Sequence, residues 1–381
     1  MQESRVVPAN LVLVIMVVLT EINGRGDAAM KSYIRANRMF EDARFVLTEI
    51  CAVKEGESVV FLVDEPSYAN ARVFAEIAKE LGACPILIDL DLYHDERGFM
   101  PVPRIEPLRQ AMLHADVVFL VINQKQTNIG RLLGNRDETD KSLLKSSRRY
   151  TLEANGMERW HLEKDRVLRD RQRTEALYEK MLKAHTARVT SARGTDFTCE
   201  VGDAPDGMYP VMGIIPFYGE VAVVPAMGTV NGVFVADGGS EYAYHHRGYP
   251  IRPNIEGNRE IWRDPLRMTY KGSILTRYEG DPVQVARLDK LMREVDPKPD
   301  LCDELGIVTC TSPENNLFGW LVDGSHQSGC LHTAIGNNHR RGEIIHSTEH
   351  VDFDMHDPVL YVDDVKILEN GVWNDEWILK N

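Results

Sequence analysis

The apolar positions in the first half of the chain follow two alternating patterns. Stretches with helical spacing, at residues 40–53, 67–82 and 105–114, alternate with short continuous apolar runs. The runs, at residues 59–63, 85–88 and 117–122, are typical of strands that are buried on both faces. Strands that alternate with helices predict an α/β fold with a doubly wound parallel sheet.

The pattern changes in the second half. Residues 124–192 are polar and predict mostly helix, and the turn residues at 191–194 suggest a boundary. Beyond it, short β-type runs at residues 197–201, 220–225 and 232–238 predict a β-rich α+β region, with a helix around residues 283–295. We therefore predict an N-terminal extension (residues 1–29), an α/β domain (30–192) and a β-rich domain (193–381).

Composition narrows the class of protein. A net charge of −14 and a pI of about 5.4 argue against nucleic acid as a partner. The apolar run at residues 11–19 is shorter than a membrane-spanning helix, and we expect no membrane partner. For this run we favour an extension or a peripheral element over a signal-peptide core, because only Arg5 would supply the positive charge that precedes such a core. The six cysteines show no C-x-x-C spacing and fit a reducing cytoplasm, where we expect the protein to reside. Neither a G-x-G-x-x-G motif nor a P-loop supports a bound nucleotide.

Histidines are concentrated near the C-terminus and suggest metal chemistry. Six of the twelve lie in one short window: His326, His332, His339, His346, His350 and His356. His350 and Asp352 are two residues apart, so in a strand they face the same side and can bind one metal ion together. Asp354 continues that face and could orient a ligand. Cys330 is close enough to be considered as a nucleophile, although simple packing is the commoner role of such a cysteine.

Acidic residues at the entrances of apolar runs complete the pattern. They are Glu220 in GEVAV and Glu304 in DELGI, although such residues are usually just exposed. Four segments occur in order: GEVAVVPAMGTVNGVFVADGG, DELGI, CLHTAIGNN and HVDFDM. From about residue 195 to the end, this arrangement resembles the metallo-aminopeptidase family of the aminopeptidase T and aminopeptidase S type. The resemblance implies an N-terminal α/β domain, a β-rich catalytic domain with a two-metal site, and a homodimer or larger homo-oligomer.

The resemblance also implies a set of site residues. The metal ligands carried over by position are Glu220, Glu304, His332, His350 and Asp352. Glu304 and His339 are the implied catalytic residues. Two positions depart from the family pattern, because Gln327 replaces a glutamate and His339 replaces a tyrosine. His339 could donate a proton as the tyrosine does, or the change could signal different chemistry.

Three functions remain open at this point. We favour a hydrolase of an amide or peptide bond, with two zinc, manganese or cobalt ions and a small-molecule or peptide substrate. The alternative is a ring-cleaving dioxygenase with one iron(II), because 2,5-dihydroxypyridine 5,6-dioxygenase belongs to the same superfamily and also ends in an H-x-D segment. Its first iron-binding histidine falls at Glu304, so His332, His350 and Asp352 would have to form a substitute triad. The third is a binding protein that has kept the fold without activity. Its only support is the departure from the family pattern at Gln327 and His339.

Overall fold

The structure of the protein is a computed structural model. The structure describes residues 38–63, 67–93, 105–121, 148–152, 162–201, 209–215, 218–237, 239–242, 264–295, 297–310, 329–337 and 346–380. No helix within these ranges combines the length and the apolar character needed to cross a bilayer. The apolar run at residues 11–19 lies outside the described residues.

The N-terminal part is built from parallel strands and helices. Strand β1 pairs with β2 on one side and with β3 on the other, and β4 extends the parallel set next to β3. Residues 38–45 form a helix, α1, which continues into a π-helical turn at Val46–Ile50. The other elements are β1 (Ser58–Val63), α2 (Tyr68–Glu80), β2 (Cys84–Asp89), α3 (Glu106–His114), β3 (Val117–Val121), β4 (Arg148–Leu152) and α4 (Lys164–Met181).

Helices cover both faces of these strands, as expected for a doubly wound sheet. One face of β1, with Phe61 and Val63, packs with Phe74 of α2. The opposite face, with Val60 and Leu62, packs in a separate cluster with α3. Because every residue from Val59 to Val63 is buried, the strand reads as one continuous apolar run in the sequence.

The parallel strands continue into an antiparallel half, so that a single sheet has ten strands. Its order is β10-β15-β14-β13-β8-β7-β4-β3-β1-β2, and β4 and β7 make the parallel junction between the two halves. The antiparallel half contains β7 (Tyr209–Ile215), β8 (Tyr218–Val223), β10 (Gly239–Tyr242), β13 (Cys302–Val308), β14 (Leu331–Asn337) and β15 (His346–Met355).

A second, antiparallel sheet of eight strands has the order β12-β11-β9-β6-β5-β16-β17-β18. Its strands are β5 (Thr186–Thr190), β6 (Asp196–Glu200), β9 (Asn231–Ala236), β11 (Leu266–Lys271), β12 (Ile274–Glu279), β16 (Val359–Val362), β17 (Val365–Glu369) and β18 (Val372–Trp373). The remaining helices are α5 (Pro282–Glu294), α6 (Asp375–Leu379) and a short 3-10 helix at Asp91–Tyr93. The Asp281 side chain caps α5 by accepting hydrogen bonds from two backbone N–H groups.

Alternation along the strands separates the core from the candidate site. In β13, Leu305 and Ile307 enter the same hydrophobic core as the second sheet, and Val351 and Phe353 of β15 do so too. Because successive side chains point to opposite faces, Glu304, His350 and Asp352 lie on the other face. The core therefore fixes the strands while the opposite face carries the polar residues.

The predicted fold class is confirmed: a parallel sheet with helices precedes a β-rich part made of antiparallel strands. The expectation of mostly helix over residues 124–192 was incomplete, because β4 and β5 lie in this range beside helix α4. The division into domains at residues 192–193 stays a prediction, because strand pairing alone does not identify independently folding units.

Candidate metal centre

Four neighbouring antiparallel strands bring together the five residues predicted as metal ligands. Strands β8, β13, β14 and β15 are consecutive in the sheet. Their candidate ligands form two groups. Within each group, the ligand atoms all lie within 4.8 Å of one another. The five side chains are all buried, and the most exposed of them, His350, is only 8% exposed. The groups are Glu220, Glu304 and His332 (the Glu220 half-site) and Glu304, His350 and Asp352 (the Asp352 half-site).

In the Glu220 half-site, His332 lies between two carboxylates. Its Nε2 atom is 3.5 Å from Oε1 of Glu220 and 3.9 Å from Oε1 of Glu304. The histidine comes from β14, and the two glutamates come from β8 and β13. These distances leave the three groups close enough to bind one ion with a small adjustment.

The Asp352 half-site has the same composition in a tighter arrangement. Nε2 of His350 is 3.0 Å from Oδ1 of Asp352 and 3.2 Å from Oε2 of Glu304. His350 and Asp352 are two residues apart in β15, so the strand alternation places them on one face as the sequence indicated.

Glu304 belongs to both half-sites and faces each with a different oxygen. Oε1 is directed to His332 and Oε2 to His350. In the sheet register, Ala334 stands between Glu304 and Asp352, and its small side chain leaves room above the sheet. A carboxylate in this position can bridge two neighbouring ions.

A glycine makes room for His332. Gly306 is the register partner of His332 on β13. A Cβ atom at Gly306 would lie 1.9 Å from Cε1 and 2.0 Å from Nε2 of the imidazole. The His332 ring therefore lies directly over the Gly306 backbone, and a side chain at that position would displace it.

Asp303 holds His350 from the side opposite Asp352. Its Oδ2 atom is 2.7 Å from Nδ1 of His350, and the Asp303 side chain is fully buried. Sequence reasoning missed both Asp303 and Gly306. Adjacent side chains of a regular strand point to opposite faces, so the position of Asp303 next to Glu304 does not indicate a place in the site. A glycine carries no chemical signal of its own.

The carboxylates change the protonation of both histidines. Burial lowers the pKa of His332, but the charge of Glu220, with that of Glu304 and Asp352, outweighs it and raises the pKa to about 9. For His350, burial is likewise outweighed, by Asp303 and Asp352, and the pKa lies well above its ordinary value. Burial raises the pKa of Asp352, but His350 draws it below the usual range overall. The surrounding carboxylates thus favour a positive charge at both histidines.

The donor set fits divalent metal ions. The ligand groups found among the described residues contain three carboxylates and two histidines, and neither group includes a cysteine. Carboxylate oxygens and imidazole nitrogens are suitable ligands for zinc and manganese ions. Cys330 is buried. Its burial, and to a smaller extent the negative charge of Asp354, raise the pKa of its thiol well above the ordinary value. The thiolate, which is the nucleophilic form, is therefore disfavoured.

His339, the second predicted catalytic residue, and Gln327 lie outside the described residues. Asp354 is buried on the site face of β15 and is the register partner of His332. It therefore lies next to the strand position of His332, and its role in orienting a ligand stays a prediction.

These features define a two-sheet α/β protein with a buried carboxylate–histidine centre. Residues 38–247, more than half of the chain, match the family model described as "NicX: 2,5-dihydroxypyridine 5,6-dioxygenase", and the chain belongs to this family. Of the five candidate ligands, only Glu220 lies within the matched range. No curated protein sequence matches the chain significantly.

Two solved structures share the fold. The 2,5-dihydroxypyridine dioxygenase from Pseudomonas putida KT2440 matches with a TM-score of 0.63 and 16% identity, over 88% of this chain and 96% of that one. Wild-type AmpT from Thermus thermophilus matches with a TM-score of 0.56 and 14% identity, over 89% of this chain and 99% of that one. At these identities the likeness concerns the fold. Enzyme status is supported by the matched family, whose description is that of an enzyme.

Proposed function

We propose that this protein is a two-metal hydrolase that cleaves an amide or peptide bond. The observation that carries the proposal is the position of Glu304. One of its oxygens faces the His332 side of the site and the other faces the His350 side. A single-ion site does not need a carboxylate shared between two ligand groups.

The composition of each group also favours this function. Each half-site has one histidine and two carboxylates. The iron triad considered above needs His332 and His350 on the same ion, whereas here each histidine is grouped with Glu304 and a different second acid. We expect zinc, manganese or cobalt as the bound ions.

The residues would divide the work as follows. Glu220 and His332 would hold one ion, and His350 and Asp352 the other, with Glu304 between them. When bound, such ions supply Lewis acidity, which makes water a stronger nucleophile at neutral pH and polarises a carbonyl group. A carboxylate that the ions do not fully engage, Glu304 or Glu220, would accept a proton from the attacking water. From there the proton would pass to the leaving amine, and His339 stays a candidate for assisting this transfer.

A ring-cleaving iron(II) dioxygenase is the second candidate, and membership of the NicX family favours it. The family match, however, ends before Glu304, His332, His350 and Asp352. It therefore bears on the α/β part of the chain more than on the centre. We rank the dioxygenase below the hydrolase for this reason.

One pair of assays separates the two functions. Chelated protein would be reloaded with zinc, manganese, cobalt or, anaerobically, iron(II), and then given aminoacyl anilides and dipeptides or 2,5-dihydroxypyridine. We expect metal-dependent amine release that is abolished by Asp352→Asn, with no oxygen uptake. Oxygen consumption with the pyridine that requires iron(II), without amine release from any amide, would reject the hydrolase in favour of the dioxygenase.

A further inference from the structure

The two histidines of the centre, His332 and His350, are held in place by different neighbours outside the ligand set. We propose that Asp303 is a positioning residue that makes the Asp352 half-site the tighter of two metal positions, so that it fills first. This inference rests on the two-metal site proposed above and goes beyond it by assigning an order of loading and the residue that sets the order.

Asp303 contacts the ring nitrogen of His350 that does not face the centre. Its Oδ2 atom is 2.7 Å from Nδ1, while Nε2 faces Asp352 and Glu304. A metal ion on Nε2 requires that Nδ1 carry the proton, and Nδ1–H then donates to Asp303. A carboxylate partner of this kind fixes the tautomer and the ring orientation and makes the histidine a stronger ligand.

A β-bulge explains how Asp303 and Glu304 can serve the same histidine. Cys302 pairs with Ile335 and Glu304 pairs with Ala334, so Asp303 is an extra residue on β13. Adjacent side chains of a regular strand point to opposite faces, but a bulge changes the direction of one of them.

Side chains next to the bulge hold its backbone. The Thr333 hydroxyl donates a hydrogen bond of 3.1 Å to the Glu304 carbonyl and lies 3.3 Å from Sγ of Cys302. All three side chains are buried. The bulge is therefore part of the packed sheet, and it presents two consecutive carboxylates to His350.

The Glu220 half-site is fixed differently. There the His332 ring is positioned by its close approach to the Gly306 backbone. Asp303 thus adds a direct hydrogen bond to one half of the centre and orders His350 before a metal ion binds. This asymmetry predicts two unequal affinities.

Stepwise titration of the metal-free protein with Mn²⁺, followed by calorimetry and by metal analysis after dialysis, tests the proposal. We expect two binding steps in the wild-type protein. Asp303→Asn should weaken the tighter step by about 10–100-fold, the usual cost of losing such an outer partner, and leave the weaker step in place. Glu220→Gln should remove the weaker step and preserve the tighter one.

Asp170→Asn is the matched control. Asp170 is also a buried carboxylate with a close basic partner, since it accepts a 2.6 Å hydrogen bond from Arg173 on helix α4. This variant should lose stability but keep both binding steps. With Co²⁺ as a second probe, the absorption bands of the first equivalent should shift in Asp303→Asn and stay unchanged in Asp170→Asn.

An unchanged tighter step in Asp303→Asn, or loss of the tighter step in Glu220→Gln, would overturn the order of loading. If the wild-type protein binds only one ion, the two-metal function itself is rejected together with the order. Circular dichroism checks folding. If Asp303→Asn does not fold, the smaller Asp303→Ser variant replaces it in the same titration, with the same expected and contradicting results.

Discussion

The two halves of the centre use the same kinds of ligands but support their histidines by different means. His332 lies over a glycine and is positioned by steric fit. His350 is held at its second ring nitrogen by a buried carboxylate. The comparison teaches that the ligand list alone, one histidine and two acids in each case, does not describe the site. The surrounding residues set how strongly each half is prepared to bind.

The largest expected effect comes from the residue that the halves share. Glu304→Gln should weaken metal binding at both positions, by at least roughly 100-fold, because a ligand costs no less than the outer partners that support it. Metal analysis after dialysis measures this effect. Asp352→Asn should impair only its own half. Retention of two tightly bound ions in Glu304→Gln would show that the two halves are independent.

The next largest effect is expected from a substitution of Gly306, which should impair the Glu220 half-site alone. Gly306→Ala should displace the His332 ring and reduce the metal content from two ions to one, retained by the Asp352 half-site. Overpacking of this kind costs about 1–3 kcal/mol of stability. Urea unfolding checks the cost, and the His332→Ala background is the control, because removal of the ring should relieve most of it. Additive costs in the double variant would contradict the close approach.

The pH dependence of the metal-free protein reports on the histidines themselves. The carboxylates raise the pKa of His332 in the folded state to about 9, above its ordinary value of 6.5, and they raise the pKa of His350 as well. The folded state therefore binds more protons than the unfolded state above pH 6.5, so the free energy of unfolding should fall as pH rises from 6.5 through about 9. Stability that is fully present below pH 6.5 is lost across this range.

Chemical denaturation of chelated protein at several pH values measures this slope. His332→Gln should make it shallower. The metal-loaded protein should not show the fall, because bound metal replaces the protons and binds more tightly as pH rises. A flat profile for the chelated protein would contradict the raised pKa values.

The smallest effect is expected at Cys330. Cys330→Ala should keep the metal content and the activity and cost about 1 kcal/mol of stability or less, because only one buried atom is removed. Activity assays and metal analysis check this outcome. Loss of activity with both ions retained would assign the chemistry to the thiol instead of the metal centre.

Sequence reasoning reached the parts of the structure that depend on local patterns. The continuous apolar runs predicted the parallel strands, and alternation predicted that His350 and Asp352 share a face. The order of the four C-terminal segments, through the family resemblance, indicated which acids accompany the histidines. The structure brings all five of these residues together, while their role as ligands stays a prediction.

The remaining features depend on contacts that are distant in sequence. The junction of β4 with β7 joins the parallel and antiparallel strands into one sheet, and nothing local in either strand predicts that pairing. The bulge at Asp303 reverses the expected direction of one side chain. Gly306 is required because a histidine from another strand lies over it, which becomes visible only when β13 and β14 are paired.

The most direct test of the central claim is to load the wild-type protein with Mn²⁺ and record its metal content and its electron paramagnetic resonance spectrum. If Glu304 bridges the two halves, the protein should hold two ions per chain with a spin-coupled spectrum. In Glu304→Gln the coupling should disappear. One ion per chain, or two ions without coupling in the wild-type protein, would contradict the shared centre.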